Sequence, residues 1–339
     1  MAFIIQENKS LKGYNTFGID AKAARFVELS CCEDYESLVG AKMLRKDSFF
    51  VLGGGSNVVF MDDYDGVIVH PENKGIRMIE AHDGFYEIEA EAGEVWDSFV
   101  GHCIDNGWYG LETMAGIPGC VGAAPVQNVG AYGNEAKDFV TKVHYYDVTT
   151  GEDHWIDNGE CRFEYRNSVF KGDLRGRCLI DRVRFRLHDT FVPNLTYKAL
   201  TEALSRQGLT NPTAREVAET VRRVRDSKLP NPKQIGSAGS FFKNPVVSAA
   251  EYERLAEAFP GIVAHAVGNG FKLAAGWMIE NCGWKGCDRG NVGVYEKQAL
   301  VLVNRGGCSG REVRELADEI IADVEARFGV RLECEAIFI

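Results

Sequence analysis

Glycine-rich segments that stand beside hydroxyl, amide and guanidinium groups are the parts of this sequence best suited to chemistry. Residues 53–57 read GGGSN and follow a short apolar run. Consecutive glycines leave neighbouring backbone N–H groups able to converge on an anion, and the serine and asparagine add side-chain donors. The segment lacks the Gly-Lys-Ser/Thr ending of a Walker A loop, and Val58 stands where a GxGxxG motif needs its last glycine. It indicates either a phosphate-binding loop or a tight hairpin turn.

A second glycine-rich segment, residues 116–133, reads GIPGCVGAAPVQNVGAYG. Neither a helix nor a strand suits this spacing, because glycine frees the backbone while proline fixes φ and lacks a donor. Apolar and amide side chains are interspersed, whereas flexible linkers are usually polar and rich in Gly and Ser. The segment is therefore predicted to wrap its main chain around a rigid ligand, with a mobile surface loop as the alternative.

Three further places carry groups that could bind or donate. Arg162 and Arg166 stand four residues apart beside aromatic residues, which suits either a carboxylate or phosphate site or a solvated surface. Residues 236–245 read GSAGSFFKNP and can bring the Ser240 hydroxyl close to a ligand, although two following phenylalanines exclude a GxSxG nucleophile elbow. Glu335 lies in an alternating segment, where a carboxylate usually faces solvent.

The composition indicates a globular protein with more than one domain. The 339 residues include 45% hydrophobic side chains, enough for a sizeable core. A net charge of −11 argues against a nucleic-acid-binding protein, but a local cluster of Lys and Arg could still bind an anionic small molecule. The 10 cysteines and 7 histidines show no zinc-like spacing, so no metal is expected.

No signal peptide or membrane span is expected. The segment MAFIIQENKS has too short an apolar run for a signal peptide, and no stretch approaches the roughly 20 apolar residues of a spanning helix. Reduced cysteines are the simplest interpretation. We therefore expect a cytoplasmic protein without membrane or nucleic-acid partners, and we expect it to be a monomer.

Capping signals and hydrophobic periodicity predict a mixture of helices and strands. Helices are predicted over 33–44 and over 95–104, where apolar residues recur at helical spacing. Capping boxes at Thr213 and Ser309 mark the starts of two later helices. The first of these must end at the sequence LPNP, residues 229–232, which is the predicted domain boundary. Strands are predicted at 25–29, 49–52, 67–69, 143–149, 180–187, 299–303 and 332–338.

Four segments together resemble the UDP-N-acetylenolpyruvoylglucosamine reductase family, in their order as well as their spacing. The resemblance extends from residue 15 to Glu335, and it is specific because the motifs occur jointly. Two further segments are similar to the subtype with a tyrosine loop over the substrate: 195–197 (LTY) and 228–230 (KLP). The four segments are 52–57 (LGGGSN), 116–133, 165–168 (YRNS) and 239–245 (GSFFKNP).

The resemblance implies an α+β fold of the vanillyl-alcohol oxidase/p-cresol methylhydroxylase type, with two FAD-binding subdomains at 1–70 and 71–225. A substrate-binding subdomain with a catalytic terminal strand would occupy 226–339. The GGGSN segment would hold the FAD pyrophosphate, and the second glycine-rich segment would lie along the flavin. The implied cofactor-binding residues are Gly53, Gly54, Gly55, Ser56, Asn57, Gly116, Pro118, Gly119, Gly122, Ala123, Gln127, Asn128, Gly130, Tyr132 and Gly133.

The resemblance also implies a reaction in two halves. NADPH reduces noncovalently bound FAD, and the reduced flavin then delivers hydride to the vinyl C3 of UDP-N-acetylglucosamine enolpyruvate. C2 takes a proton, which gives UDP-N-acetylmuramate, a peptidoglycan precursor. Negative charge develops at the substrate carboxylate, so the reaction needs a cation there and an acid near C2.

The family match assigns roles to individual residues. Ser240 would donate the proton, while Arg166 and Glu335 would bind and polarise the carboxylate region. A serine is a weak acid, and Lys228 or Lys243 could stabilise its alkoxide. The positions matched to binding of the substrate diphosphate are Tyr197, Lys228, Asn244 and Gln298.

The chain departs from the family pattern at two places. Ala123 and Ala124 stand where relatives often have two serines, so some flavin hydrogen bonds would come from the backbone. Ile337 stands where the terminal motif commonly has arginine, so the contribution of that arginine is missing.

Two other functions stay open at this point. A sugar or lactone oxidase of the same fold is one, although many of those tether FAD through a histidine and residues 53–57 contain none. A non-catalytic nucleotide-sugar binding protein is the other.

Overall fold

The structure, a computed structural model, describes residues 3–339, and these form two compact units. Unit 1 contains the chain up to Lys9 together with Ala23–Gly54 and Tyr64–Ser227. Unit 2 contains Ser10–Lys22, Gly55–Asp63 and Lys228–Ile339. Two short N-terminal segments therefore fold with the C-terminal part of the chain, and the expected division at 70/71 and 225/226 stays a prediction.

The structure contains many short strands and a smaller number of helices. The strands are β1 (Ile5–Ser10), β2 (Lys22–Leu29), β3 (Phe49–Val51), β4 (Val58–Val59), β5 (Tyr64–Pro71), β6 (Ile76–His82), β7 (Phe85–Glu91), β8 (Gly130–Ala131), β9 (Asn134–Glu135), β10 (Val140–Asp147), β11 (Asp153–Asp157), β12 (Cys178–His188), β13 (Gly236–Ser237), β14 (Val246–Ser248), β15 (Ala264–Val267), β16 (Gly270–Leu273), β17 (Asp288–Arg289), β18 (Val292–Val294), β19 (Leu302–Asn304) and β20 (Ile337–Phe338). The α-helices are α1 (Cys32–Gly40), α2 (Trp96–Asp105), α3 (Lys198–Arg206), α4 (Ala214–Lys228), α5 (Ala249–Ala258), α6 (Ala275–Asn281) and α7 (Gly310–Phe328).

An antiparallel five-stranded sheet, in the order β11-β10-β12-β7-β6, forms the larger part of unit 1. Alternate residues of β12 are fully buried, as a half-buried strand requires. Helix α2 covers that face, with the Phe99 and Phe185 ring centroids 5.0 Å apart and Trp96 6.1 Å from Phe185. Full burial of one such side chain stabilises the fold by about 1.5–3 kcal/mol.

A second sheet in unit 1 has the order β1-β2-β5-β3, and β5 runs parallel to both β2 and β3. Its residues Val67 and Val69 are buried with Tyr35 and Leu38 of α1, which covers this sheet. Because β3 ends at Val51, the GGGSN segment leaves the carboxyl end of a parallel strand. Ligands of open α/β sheets bind at that end of the strands.

Unit 2 contains an antiparallel sheet in the order β13-β19-β18-β17 and a smaller one in the order β14-β16-β15. Helix α7 buries one apolar face, as its periodicity predicts. A parallel pair of short strands, β4 and β20, joins residues near the GGGSN segment to the C-terminal segment. The buried residues of α7 include Val313, Leu316, Ile320 and Val324.

The capping signals in the sequence are confirmed. Thr213 N donates to Glu216 Oε2 at 2.8 Å, and α4 ends at Lys228, directly before LPNP. Ser309 begins α7 with the expected capping box, and Gly329 ends that helix in the left-handed conformation, with φ of 69°. Local hydrogen bonds of this kind are readable from sequence because both partners lie within one turn.

Three local predictions are wrong. Helix α1 ends at Gly40 instead of residue 44, and Lys42 has a left-handed φ of 53°. Val95 is 51% exposed and precedes α2, so it does not belong to the buried face. The final strand is limited to β20, because only an isolated bridge to Phe242 precedes it at Cys334.

No helix within residues 3–339 has the length and apolar character that crossing a bilayer requires.

Candidate active site

The first two glycines of the GGGSN segment pack against the second glycine-rich segment inside unit 1. A Cβ on Gly54 would lie 2.9 Å from Gly119 Cα, and one on Gly53 would lie 2.6 Å from Cys120 Sγ. Side chains at these positions would therefore push the two segments apart. Close approach of two backbones is thus one reason for the glycines, independent of any ligand.

The rest of the GGGSN segment is anchored inside unit 2. Gly55 has φ of 60°, and a Cβ there would lie 1.9 Å from the carbonyl oxygen of Tyr14. Asn57 Nδ2 donates to the Glu335 carbonyl oxygen at 3.1 Å, and Asn57 O accepts from Ile337 N at 2.9 Å. The expected phosphate loop and the expected catalytic carboxylate residue are therefore joined by direct hydrogen bonds.

The segment 116–133 is irregular and rigidly held, so it is not a mobile surface loop. Asn128 is buried with φ of 46°, and its Nδ2 donates to Glu135 Oε2 and to the Glu164 carbonyl oxygen, both at 3.0 Å. A Cβ on Gly122 would lie 2.6 Å from Ala92 Cβ. Three of the other expected cofactor residues have positive φ: Gly116, Gly119 and Gly133. Ala123 ends a 3-10 turn and Gly130 lies in β8. Gln127 is half-buried and Pro118 is exposed, while Ser56 of the GGGSN segment is half-buried.

The two arginines of the 162–166 segment have different surroundings. Arg166, with φ of 55°, is half-buried, and its Nη2 donates to the Gly130 carbonyl oxygen at 3.1 Å. Its guanidinium also lies 5.3 Å from the centroid of the Tyr165 ring. Arg162 is exposed and forms an ion pair with Asp173. The structure therefore brings Arg166, and not Arg162, to the glycine-rich segment.

Two arginines of α4 also reach the glycine-rich segment, and the sequence analysis missed them. Asp97 Oδ1 accepts from Gly116 N at 2.6 Å and from Arg222 Nε at 3.0 Å. Arg225 Nε donates to the Gly116 carbonyl oxygen at 3.0 Å, and burial lowers the pKa of its guanidinium. The i,i+3 spacing of Arg222 and Arg225 places both on one face of the helix, but it does not reveal that this face meets the glycine-rich segment.

Tyr197 lies at the start of α3, against the end of the glycine-rich segment in unit 1. Its ring meets that of Tyr132 edge to face, with centroids 5.2 Å apart. Tyr132 has φ of 49°, and burial raises the pKa of its hydroxyl. Tyr197 itself is 45% exposed, although it is a large aromatic residue. An exposed tyrosine next to a half-buried one suits a side chain that covers a ligand.

Ser240 and Glu335 lie on neighbouring segments of unit 2. Glu335 N donates to the Phe241 carbonyl oxygen at 2.8 Å, and an isolated β-bridge joins Phe242 to Cys334. Ser240 is exposed and follows Gly239, whose φ is 67°. Lys243, a candidate helper of Ser240, instead pairs with Glu333 at 3.0 Å.

Two of the remaining expected substrate residues of unit 2, Asn244 and Gln298, contact α6. Asn244 Oδ1 accepts from Ala275 N at 3.0 Å, so it binds the first residue of that helix. A Cβ on Gly276 would lie 3.0 Å from Gln298 Oε1, which places Gln298 at the same turn. Lys228 is exposed at the end of α4. Residues far apart in sequence thus present two amides at one place.

Comparison with known proteins agrees with this arrangement. Residues 24–157 match the profile of an FAD-binding domain, and residues 231–339 match that of the C-terminal domain of UDP-N-acetylenolpyruvoylglucosamine reductase. A crystal structure of this reductase from Thermus caldophilus has the same fold, with a TM-score of 0.67 at 22% identity over 100% of this chain and 99% of that one. Fold and domain match define an FAD-binding oxidoreductase of the expected α+β, vanillyl-alcohol oxidase type.

Sequence relatives are close and nearly full length. The UDP-N-acetylenolpyruvoylglucosamine reductase of Neisseria gonorrhoeae is 45% identical over 98% of this chain and 96% of its own length. That of an Azoarcus species is 45% identical over 99% of this chain and 98% of its own. The chain belongs to the UDP-N-acetylenolpyruvoylglucosamine reductase family.

Each unit has donor groups of a kind that fits FAD. Within residues 3–339, the backbone N–H groups of Gly53 in unit 1 and of Gly55 in unit 2 have no backbone acceptor. The Nη groups of Arg225 likewise have no acceptor in the described chain, although its Nε is engaged by Gly116. Backbone N–H groups and a half-buried guanidinium are the donors that a pyrophosphate and the polar edge of a flavin need.

Proposed function

We propose that this protein reduces UDP-N-acetylglucosamine enolpyruvate to UDP-N-acetylmuramate, with NADPH as reductant, as a step of peptidoglycan precursor synthesis. The observation that carries the proposal is 45% identity to reductases of this name over nearly the whole chain. A sugar oxidase or a non-catalytic binding protein is not favoured, since neither accounts for a C-terminal domain of this reductase family.

FAD, once bound, would supply the transfer of hydride from NADPH to C3 of the substrate. The chain must then provide a proton for C2 and positive charge for the substrate carboxylate. Ser240 is the proton donor in this proposal, and its exposure beside Gly239 leaves the hydroxyl accessible to a ligand. The alkoxide that forms needs stabilisation, for which Lys228 is the better candidate because Lys243 is engaged by Glu333.

Arg166 and Glu335 form the carboxylate-binding part of the proposed site. The half-buried guanidinium of Arg166 is held in one orientation by the Gly130 carbonyl, so it is preorganised for an anion. Asn57 and Phe241 form hydrogen bonds with the backbone of Glu335, and these bonds hold its Cα in place. A positioned charge stabilises the developing enolate more than a mobile one does, because no reorganisation is needed during the reaction.

Cofactor and substrate roles extend to the remaining residues. The GGGSN segment and the glycine-rich segment would hold FAD through backbone groups, which also suits Ala123 and Ala124 in place of two serines. Arg225 would donate to the polar edge of the flavin. The sugar nucleotide would be bound by Tyr197, Lys228, Asn244 and Gln298. Of these, Asn244 and Gln298 both contact the first turn of α6. We propose a monomeric cytoplasmic enzyme with FAD-binding subdomains at 1–70 and 71–225 and a substrate subdomain at 226–339.

Isotope transfer tests this function directly. The purified protein should show flavin absorption and should oxidise NADPH in proportion to added UDP-N-acetylglucosamine enolpyruvate. In D₂O the product should carry solvent deuterium at both C2 and C3, because C2 takes an exchangeable proton and the N–H hydrogen of a reduced flavin exchanges with solvent before the substrate is reduced. NADPH oxidation without product, or a colourless protein that does not bind FAD, would contradict the proposal.

A further inference from the structure

Unit 1 contains a cavity of about 460 Å³ whose lining includes none of the flavin or substrate residues proposed above. Small-molecule sites in proteins typically measure about 300–1,000 Å³, so this cavity has the size of one. It lies beside the 3-10 turn Glu112–Met114 and the segment that follows β12. The flavin and substrate account for no group in it.

One end of the cavity carries a buried carboxylate without a cationic partner. Glu112 is 4% exposed, and both of its carboxylate oxygens accept from Gly110 N, at 2.9 and 3.0 Å. Burial raises the pKa of this carboxyl group. Among residues 3–339 no Lys, Arg or His forms an ion pair with it, whereas buried carboxylates are normally paired.

The neighbouring residue presents a buried hydroxyl without a partner. Thr113 is 2% exposed, and its Oγ1 makes no hydrogen bond within the described protein. Buried side-chain hydroxyls almost always have a partner, because leaving one unsatisfied costs free energy. Glu112 and Thr113 both line the cavity, so a single donor group placed there could bind both.

The remaining walls are mainly aromatic and apolar. The rings of Tyr109 and Phe191 are in contact, with centroids 5.6 Å apart, and Phe139 is buried against Gly110. Val217 of α4 closes another side. The lining carries two acidic side chains, Glu112 and Asp189, against the imidazole of His188 and no Lys or Arg among the described residues, so it favours a cation over an anion.

We propose that this cavity is a second ligand site, which binds a small protonated aromatic amine. Its ammonium group would donate to Glu112 and Thr113, and its ring would pack among Tyr109, Phe139 and Phe191. The cation satisfies the unpaired carboxylate and is attracted to the aromatic faces. An anion of the same size is repelled by the Glu112 carboxylate.

The wall of the cavity leads to Tyr197, so occupation of the site is coupled to that residue. Asn194 Nδ2 donates to Asn134 Oδ1 at 2.7 Å, and both residues line the cavity. Asn194 Oδ1 accepts from Thr196 Oγ1 at 2.7 Å, and Thr196 precedes Tyr197. A ligand that shifts Asn194 therefore alters the affinity for the sugar nucleotide. This consequence rests on the function proposed above, whereas binding of the amine does not.

Calorimetric titration of the purified flavoprotein tests the binding. Tryptamine is the probe, and indole-3-propionate, which has the same ring and a carboxylate in place of the ammonium, is the matched control. Tryptamine should bind saturably at one site, and the control at least about ten-fold more weakly. Thr113→Val should weaken tryptamine binding by about 3–10-fold and Glu112→Gln by about ten-fold or more. Hydrogen exchange should slow in residues 189–194 when tryptamine is bound.

Several outcomes would overturn this inference. Equal affinity for the two indoles, no saturable binding, or unchanged affinity in both variants would each remove the amine site. Thr113→Val conserves shape, so it keeps the test valid even where Glu112→Gln fails to fold. Coupling requires that tryptamine change KM for the enolpyruvyl substrate and leave flavin reduction by NADPH unchanged. An unchanged KM at saturating tryptamine would remove the link to Tyr197. The calorimetric test of amine binding does not depend on the proposed reaction, so its result holds even if the protein does not reduce the substrate.

Discussion

Gly54 and Gly119 lie so close that a Cβ on Gly54 would be 2.9 Å from Gly119 Cα. This contact joins the GGGSN segment and the second glycine-rich segment within unit 1, so the path of each depends on the other. A residue with a side chain at position 54 must separate them, and the backbone groups expected to hold FAD would move with them.

Gly54→Ala tests this dependence. We expect it to lower the free energy of unfolding by about 1–3 kcal/mol, the usual cost of an added methyl group in a tight contact, and to weaken FAD binding. Urea denaturation of the flavin-free protein and flavin fluorescence titration measure the two effects. Gly159→Ala is the control, because a Cβ there has open space. Wild-type behaviour of Gly54→Ala in both assays would contradict the contact.

Arg166→Ala tests the carboxylate-binding role. Because the guanidinium would interact with the substrate before and during reduction, KM should rise and kcat should fall, with kcat/KM lower by about 10–100-fold. Steady-state kinetics at constant flavin content provide the measurement. Arg162→Ala is a matched control four residues away, where an exposed ion pair with Asp173 should contribute little. The assignment fails if the two variants behave alike.

Ser240→Ala tests the proton donor. Reduction of FAD by NADPH should be unchanged, while oxidation of the reduced flavin by substrate should slow by about 10²–10⁴-fold, the usual scale of lost proton transfer. Stopped-flow absorption separates the two half-reactions. Ser248→Ala, which removes the cap of α5, is the control and should affect stability only. Equal loss in both half-reactions would exclude Ser240 as the donor.

Glu89 should make part of the stability dependent on pH. It is buried in β7 opposite Arg77 and Arg184, whose Nε atoms donate to it at 2.9 and 2.7 Å. Burial alone would raise the pKa of Glu89, but these hydrogen bonds and charges outweigh it and lower the pKa below the usual 4.5. The native state therefore holds this proton less tightly than the unfolded chain. Its stabilising contribution is full above the unfolded pKa and is lost as pH falls through the folded one.

Glu89→Gln should remove this part of the acid sensitivity. At neutral pH the variant should lose about 1–3 kcal/mol of unfolding free energy, and the difference from the wild type should shrink as the solution becomes more acidic. Urea denaturation between about pH 3 and about pH 7 measures both. Glu315→Gln, on the exposed face of α7, is the control. A difference that is constant across the range would contradict the depressed pKa.

Local signals predicted the helices better than the ends of the strands. The capping residues Thr213 and Ser309 act within one turn, so their sequence neighbours are sufficient to identify them. The length of the final strand depends on its pairing with β4, which lies near the other end of the sequence. Such pairing has no local signature, which is why residues 332–336 were expected to belong to the strand although only Cys334 among them forms a β-bridge.

The site was predicted in its residue types and only partly in its physical reasons. Gly53 and Gly54 were expected to admit a ligand, but close packing against Cys120 and Gly119 also requires them. Arg222 and Arg225 were missed, because a basic residue on a helix usually faces solvent and only the fold brings these two to Gly116. Arg162 and Arg166 look equivalent in sequence, but in the fold they differ in burial and in their partners.

The hydrogen bonds of Asn57 to Glu335 and Ile337 have a consequence for biosynthesis. Ser10–Lys22 and Gly55–Asp63 leave the ribosome early, yet their partners in unit 2 are made only after all of Tyr64–Ser227. Unit 1 can fold while the nascent chain grows, whereas the segment with Asn57 must wait for Glu335 to emerge from the exit tunnel. Glu335, the proposed catalytic carboxylate, therefore meets Asn57 only after the whole of Tyr64–Ser227 has been made, and a chain stalled before residue 335 would lack this contact.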